Sequence, residues 1–440
     1  MVERPKLNLD MTSDPAPSAP IQDPDRAWSS NLAIQWGWIV PVLLIGAFHL
    51  LTAYHLNVRK GEITDLTTFH WAAAEAIRGN NPYAIHELYW PFMYPPATLW
   101  FMGPVGRLGL PGAVVVWTLA QVAALVGAGF LFVSMNRSPG EEPDHRGPNP
   151  LIWLIPGLLS YRFIFRCARL GQVDMFLLFF LTLAAWALHR ARPWLSGAAL
   201  AVATGIKILP GIVVLVFLAR RRWRALLAFS LSLGLWLVWP LIGFGPARGI
   251  QLLDQWRHSA IFSHATSLEY ANDPANQSLS ATMIRTLADR SPDPAQAGHP
   301  IAGLELKTVG QIWMTLSLAL IGATFLILVK NRQSHGDEDV EFGLAILLYH
   351  LISRKTWETH LVTMFFIHAI WVQRSTQDPV ARRTLGIPGL IAALLQVGYA
   401  PIFVGNLSTS IQYYGPTTLS LLILWTAFGC FLLRRRGDSP

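Results

Sequence analysis

The chain has 440 residues, 52% of them hydrophobic and only 14% charged, with 18 Trp and 22 Phe. Soluble domains carry about 25% charged residues, so this balance excludes an ordinary soluble protein and points to an integral membrane protein. The formal charge of +8 does not indicate nucleic acid, because the basic residues gather at the ends of apolar runs, where the positive-inside pattern and lipid phosphates account for them.

Residues 1–33 are rich in Pro, Ser and Asp and lack an apolar core, as in a disordered cytoplasmic tail. No cleavable signal peptide is expected ahead of the first span, roughly 32–56, which would remain as an anchor. Beyond it the chain turns polar and aromatic. Thr64 and Asp65 form a helix N-cap, and Leu66, Phe69, Ala73, Ala76 and Ile77 make an apolar stripe at helical spacing. Gly79-Asn80 stops that helix. After Tyr94-Pro95-Pro96, the stretch 97–112 is too short and too broken by Gly and Pro to cross, and is placed as a juxtamembrane or re-entrant piece on Asp65's side.

Further spans are expected at 113–135, 151–165 and 175–188. The second of these ends in Arg162, Arg166 and Arg169, and Gly171-Gln172-Val173-Asp174 opens the third. The apolar run around Lys207 and Pro210 divides into two short antiparallel segments hinged at Leu209-Pro210. Arg190-Ala191-Arg192 and Arg220–Arg224 then share the cytoplasmic side, and Lys207 falls on the side of Asp65. Spans follow at 225–243, 309–329, 342–352, 361–372, 385–404 and 417–433. The expected architecture is an all-α polytopic membrane protein with about 12 transmembrane helices. A tail over 1–33 precedes one transmembrane domain over 34–436, with amphipathic helices in outer loops 57–110 and 244–306. Arg162, Arg166 and Arg169 break the positive-inside pattern, so an anionic partner is expected for them. No internal repeat is visible, which weighs against a transporter built from inverted halves.

Several short motifs together resemble glycosyltransferase family 87. They are Asp65 with its helix, Gly79 to Tyr83, Tyr94-Pro95-Pro96, Gly171-Gln172-Val173-Asp174 and Gly205-Ile206-Lys207-Ile208-Leu209-Pro210. The basic turn Arg220–Arg224, Asn276-Gln277-Ser278-Leu279 with Arg285, and Ser353 to His360 follow in the same order. The similarity covers roughly residues 32–375. It implies a GT-C type fold and an inverting transferase that takes a hexose, mannose in the better-known members, from a polyprenyl-phosphate carrier. Three positions depart from the pattern: Asp174 stands for Asn, Arg354 for Pro and Thr359 for His.

The carrier of a polyprenyl-phosphate sugar leaves as a phosphate monoester, which needs charge stabilisation more than protonation, while the acceptor hydroxyl needs a base. Asp65 is assigned as that general base, a role worth about 10²–10⁴ in rate. Lys207 inside an apolar stretch would cost about 2.5–3.5 kcal/mol at a membrane centre unless paired or interfacial, and is assigned to the donor phosphate. A lysine snorkelling to the interface is the alternative. Arg162, Arg166 and Arg169 are further phosphate ligands or interfacial anchors. His360 is read as a partner of the sugar-phosphate, and Gln172, Asn276, Gln277 and Arg285 as wall residues. Glu358 is a possible second acid, and Trp357 belongs to the interface belt.

No metal-binding spacing is present, Cys167 and Cys430 included, so neither metal nor cofactor is expected. The reading is therefore a monomeric, multi-pass plasma-membrane enzyme whose site faces the exterior. Its partners would be a polyprenyl-phosphate hexose donor, a lipid-linked or cell-envelope glycan acceptor and membrane lipids, with no nucleic acid. The competing readings are a flippase of lipid-linked sugars and a ligase using a diphosphate carrier.

Overall fold

The computed structural model describes residues 43–84, 87, 89–135, 151–259, 271–289, 301–334 and 336–435. The N-terminal tail, the loop 136–150 and parts of the second outer loop lie outside the described residues. The chain divides into Met1–Ile45, of which residues 43–45 are described and helical, and Gly46–Pro440, which carries everything below.

The described residues are almost wholly helical. A helical segment over 46–54 runs into a π-turn, His55–Arg59, and then into α1 (Asp65–Arg78). Leu66, Phe69, Ala73 and Ala76 are buried as their spacing requires, whereas Ile77 is exposed because it sits one position round the helix from the packed face. Gly79 closes α1 with φ 85°, a conformation open to glycine at little cost. The stretch expected beside the membrane is the helix α2 (Pro96–Arg107), packed on α1.

The chain continues through α3 (Leu110–Met135), α4 (Leu151–Leu170), α5 (Asp174–His189) and α6 (Pro193–Ile206). A short 3₁₀ turn over Leu209–Val213 leads into α7 (Val214–Ala219), then α8 (Trp223–Gly243) and the amphipathic α9 (Pro246–Trp256). The helix α4 runs past Phe165, so Arg162, Arg166 and Arg169 lie within it, four and then three residues apart on one face. Phe163, Ile164, Cys167 and Ala168 fill the buried face. The run around Lys207 is two short segments, with the break at Lys207-Ile208 just ahead of the expected hinge, because Pro210 cannot bond back to the Ile206 carbonyl and the helix ends there.

Beyond α10 (Leu279–Leu287) come α11 (Leu306–Asn331), α12 (Glu338–Ile352), a 3₁₀ turn Glu358–Thr363, α13 (Met364–Gln377), α14 (Pro379–Val397) and α15 (Pro416–Arg435). Among the described residues five helices, α3, α8, α11, α14 and α15, are long and apolar enough to cross a membrane, and Asp174–His189, Pro193–Ile206 and Leu209–Ala219 are shorter apolar stretches.

At the end of α5 away from Asp174, charges are paired rather than exposed. Arg220 bonds Glu341 and Glu338 (3.1 Å), His189 approaches Glu338 (3.4 Å), and Asn331 donates to Glu341 (2.8 Å). Arg374 bonds Asp339, and Arg435 reaches Asp337 (2.5 Å) and Asp378 (3.6 Å). One carboxylate-rich turn at the head of α12 thus joins the ends of α5, α7, α11, α13 and α15.

Candidate active site

The site is built from the first turn of α1 and from two chain breaks beside it. Thr64 caps α1: its side chain accepts from the Thr67 N–H (3.3 Å), and the Thr67 hydroxyl accepts in return from the Thr64 N–H (2.9 Å). The Thr64 hydroxyl also donates to the Asn57 side-chain oxygen. The Asn57 amide in turn bonds the carbonyls of Ala53 (2.8 Å) and Arg169 (3.4 Å). Asp65 is therefore held by its own helix, by the end of the preceding segment and by the end of α4.

The turn Gly171-Gln172-Val173 between α4 and α5 packs directly on this helix. Gly171 adopts φ 73°. Its carbonyl accepts from the Trp117 indole (2.7 Å), and the Gln172 carbonyl accepts from the Gln121 amide (2.6 Å). The Gln172 side-chain oxygen accepts from the Tyr94 hydroxyl (3.0 Å), which orients its NH₂ group as the donor, and this amide stands within reach of the Asp65 carboxyl. Tyr94 is itself fixed by Tyr83, whose hydroxyl donates to the Tyr94 carbonyl (2.9 Å), and by an edge-on contact with Phe69.

Lys207 sits at the second break, where α6 ends. Its Nζ donates to both oxygens of Asp174, at 2.9 and 2.7 Å. Asp65 feels both charges. Burial pushes its carboxyl up to about 6 from an ordinary value of 3.8, against the lowering by the Gln172 amide and the Lys207 ammonium, and the negative charge of Asp174 adds to the rise. Asp65 keeps partial solvent exposure, as do Tyr94 and Lys207, whereas Asp174 has none. The arrangement is a buried carboxyl poised near neutrality, held on a partly exposed residue within the field of a cation.

His360 joins this group electrostatically: it and His350 both lie near enough to Lys207 to feel its charge. The Trp357 N–H points at His360 Nδ1 (3.4 Å), so a neutral ring carries its proton on Nε2, and the ring is also hydrogen-bonded to the Lys355 backbone. His350 is buried and bonds Thr363 (2.6 Å). The 3₁₀ turn that carries His360 is anchored by Glu358, which bonds Arg162 and lies 3.6 Å from Arg166. Glu358 is thus an anionic partner for two of the three arginines. Arg162 also stacks over Tyr399 (4.3 Å). For Arg169, no carboxylate among the described residues lies within ion-pair distance.

The remaining expected residues take another part. Arg285 is fully buried, and its guanidinium donates to the carbonyls of Tyr413, Asp273, Asn276 and Ala271. The Gln277 amide bonds the carbonyls of Pro274 and Gln412, and the Asn276 side-chain oxygen accepts from the N–H groups of Ser278 and Thr356. Expected as cavity wall, these three hold backbone together, and they clamp the segment leading to Trp357 and His360. Tyr94 and Asp174 stand in the sequence only as motif positions with no role of their own; the tyrosine before Pro95-Pro96 and the acid after Gly171-Gln172-Val173 are the signals that mark them. A separate groove of about 450 Å³ between α14 and α15, lined by Arg383, Leu422 and Arg434 among others, contains none of these residues.

The model of glycosyltransferase family 87 matches residues 92–354, more than half of the chain. That stretch includes Tyr94, Gln172, Asp174 and Lys207; Asp65 lies before it and His360 just after it. A polyprenol-phosphate-mannose-dependent alpha-(1-2)-phosphatidylinositol pentamannoside mannosyltransferase of Mycolicibacterium smegmatis is 28% identical over 199 residues, 42% of this chain and 45% of the relative. Its namesake from Mycobacterium tuberculosis is 28% identical over 145 residues, 32% of this chain and 31% of the relative. This chain therefore spans less than half the length of either curated relative in the match. Among solved structures, ArnT from Cupriavidus metallidurans bound to undecaprenyl phosphate aligns with 91% of this chain and 78% of its own, at 15% identity and a TM-score of 0.38. By the extent of the family match, this chain belongs to glycosyltransferase family 87.

Proposed function

We propose that this membrane glycosyltransferase is an inverting, GT-C type enzyme that moves a hexose, mannose by our reading, from a polyprenyl phosphate to a lipid-linked or cell-envelope glycan at the outer face of the plasma membrane. The donor and sugar follow from the names of the two mycobacterial relatives. The observation that carries the reading is Asp65: a buried carboxyl held up to about 6, on a residue that keeps some exposure, within the field of Lys207.

In this reading the acceptor hydroxyl approaches the anomeric carbon from the side opposite the phosphate. Asp65 takes the hydroxyl proton as the new carbon–oxygen bond forms. The bond from the anomeric carbon to the phosphate oxygen breaks, its electron pair stays on that oxygen, and the lipid phosphate gains one negative charge. Lys207, with the His360 ring close enough to feel its charge, stabilises that growing charge. A base titrating near 6 is ionised at neutral pH yet basic enough to accept the proton.

The test is incubation of purified protein with labelled polyprenyl-phosphate-mannose and a membrane glycolipid extract, followed by mass analysis. A new glycolipid heavier by one hexose, absent with Asp65→Asn, is the expected result. Transfer at the wild-type rate by Asp65→Asn removes Asp65 from the mechanism. Movement of sugar-lipid across sealed vesicles without a new glycosidic bond would favour the flippase instead.

A further inference from the structure

Lys207 reaches the site already engaged. Two of its three N–H groups point at the two oxygens of Asp174, at 2.9 and 2.7 Å, and no other carboxylate among the described residues lies within ion-pair distance of it. The two partners are not equally placed. The Lys207 side chain is 19% exposed, whereas that of Asp174 is 0% exposed. An anion arriving from the open side therefore meets the lysine first, with a fixed counter-charge directly behind it.

We propose that Asp174 is a tuning residue for lipid-phosphate affinity: it competes with the phosphate for Lys207, weakening the hold on the product and so permitting its release. The inference rests on the function proposed above. An unpaired ammonium in this half-buried setting would bind a phosphate monoester tightly, because little water screens the attraction. The product carries one more negative charge than the donor, so an unopposed lysine would favour the product over the next donor. With Asp174 behind it, Lys207 presents a nearly neutral pair that polarises toward the phosphate as charge develops there. It then returns to Asp174 as the lipid phosphate leaves. Asp174 touches no reacting atom in this account; it acts through Lys207.

Binding of undecaprenyl phosphate to the full chain in detergent, followed by native mass spectrometry and by titration, tests this without any transfer reaction. Asp174→Asn keeps the shape and removes the competing charge, so it should tighten binding about tenfold, while Lys207→Met should weaken it by a similar factor. The double variant should match Lys207→Met alone, since Asp174 has no effect without the lysine. Under turnover, Asp174→Asn should lower both KM for the donor and kcat, with stronger inhibition by added undecaprenyl phosphate. Unchanged or weaker binding in a folded Asp174→Asn protein overturns the proposal. If that variant does not purify folded, wild-type affinity in Lys207→Met overturns it equally. A wild-type protein that retains no undecaprenyl phosphate takes down both this inference and the donor assignment. Normal wild-type binding with an inert Asp174→Asn takes down the inference alone.

Discussion

A Cβ built on Gly171 would stand 2.4 Å from the Cβ of Leu66, the residue next to Asp65. The turn that presents Gln172 and the helix that presents the base thus touch with no room for a methyl group. Gly171 also lies at φ 73°, where an L side chain is strained. Gly171→Ala should therefore cost about 1–3 kcal/mol through overpacking, and backbone strain adds to it. The larger effect should fall on activity, because the relief available is to push Asp65 away from Gln172. Thermal unfolding in detergent and the transfer rate check the two parts. Unimpaired transfer by this variant would mean that the contact does not position the base.

Asp65 should act against the stability of its own fold. Its carboxyl titrates at about 6 in the folded chain against 3.8 ordinarily, so the folded state holds the proton more tightly than the unfolded one. The stability this gives is present below the ordinary value and is lost as pH rises through the window up to about 6. Asp65→Asn removes that loss. At neutral pH the variant should unfold at a temperature equal to or above that of the wild type, while transfer falls by about 10²–10⁴ or more. Its stability should also vary less between pH 4 and pH 6.5 than that of the parent.

The same carboxyl sets the acid limb of the rate profile. Transfer requires the ionised base, so kcat/KM for the wild type should rise with pH through about 6. The groups facing Asp65 are the Gln172 amide and Lys207, which favour the carboxylate, and Asp174, which opposes it. Gln172→Leu removes one favourable partner and should move the acid limb to higher pH. Tyr94→Phe, which frees the Gln172 amide to turn, should move it in the same direction by less. A profile in Gln172→Leu that overlays the wild type would exclude the amide as a partner of the base.

What the sequence reveals about this site depends on range. The helix behind Asp65 is legible because its cap, its stripe and Gly79 are consecutive, and the break at Lys207 is legible because Pro210 forces it. The pairing of Lys207 with Asp174 and of Glu358 with Arg162 joins residues far apart in the chain. No local pattern encodes those pairs; the three arginines signalled only that some anion was needed. Asn276, Gln277 and Arg285 show the opposite limit. A polar side chain that satisfies buried carbonyls looks the same in sequence as one that faces a ligand, so the backbone contacts these three make are not legible in the motif. The extension of α4 beyond Phe165 was hidden for a related reason: arginines at helical spacing end an apolar run without ending the helix.

The charge network at the other end of α5 separates stability from chemistry. Arg220 is 1% exposed, and its partners Glu341 and Glu338 are 0% and 7% exposed. Removing the guanidinium alone leaves two buried carboxylates without their main counter-charge, which should cost about 3–5 kcal/mol. The α5 helix has 16 residues and sets this network roughly 24 Å from Asp174, too far to disturb Lys207 directly. Arg220→Met should therefore lower the unfolding temperature sharply while the folded fraction keeps its KM for the donor. The triple replacement Arg220→Met, Glu341→Leu and Glu338→Gln should recover much of the loss, because it leaves neither carboxylate buried without its counter-charge. A thermal unfolding series with KM measured on the same preparations decides it: a shift in KM as large as the loss in stability would show that the two ends of the helix are coupled.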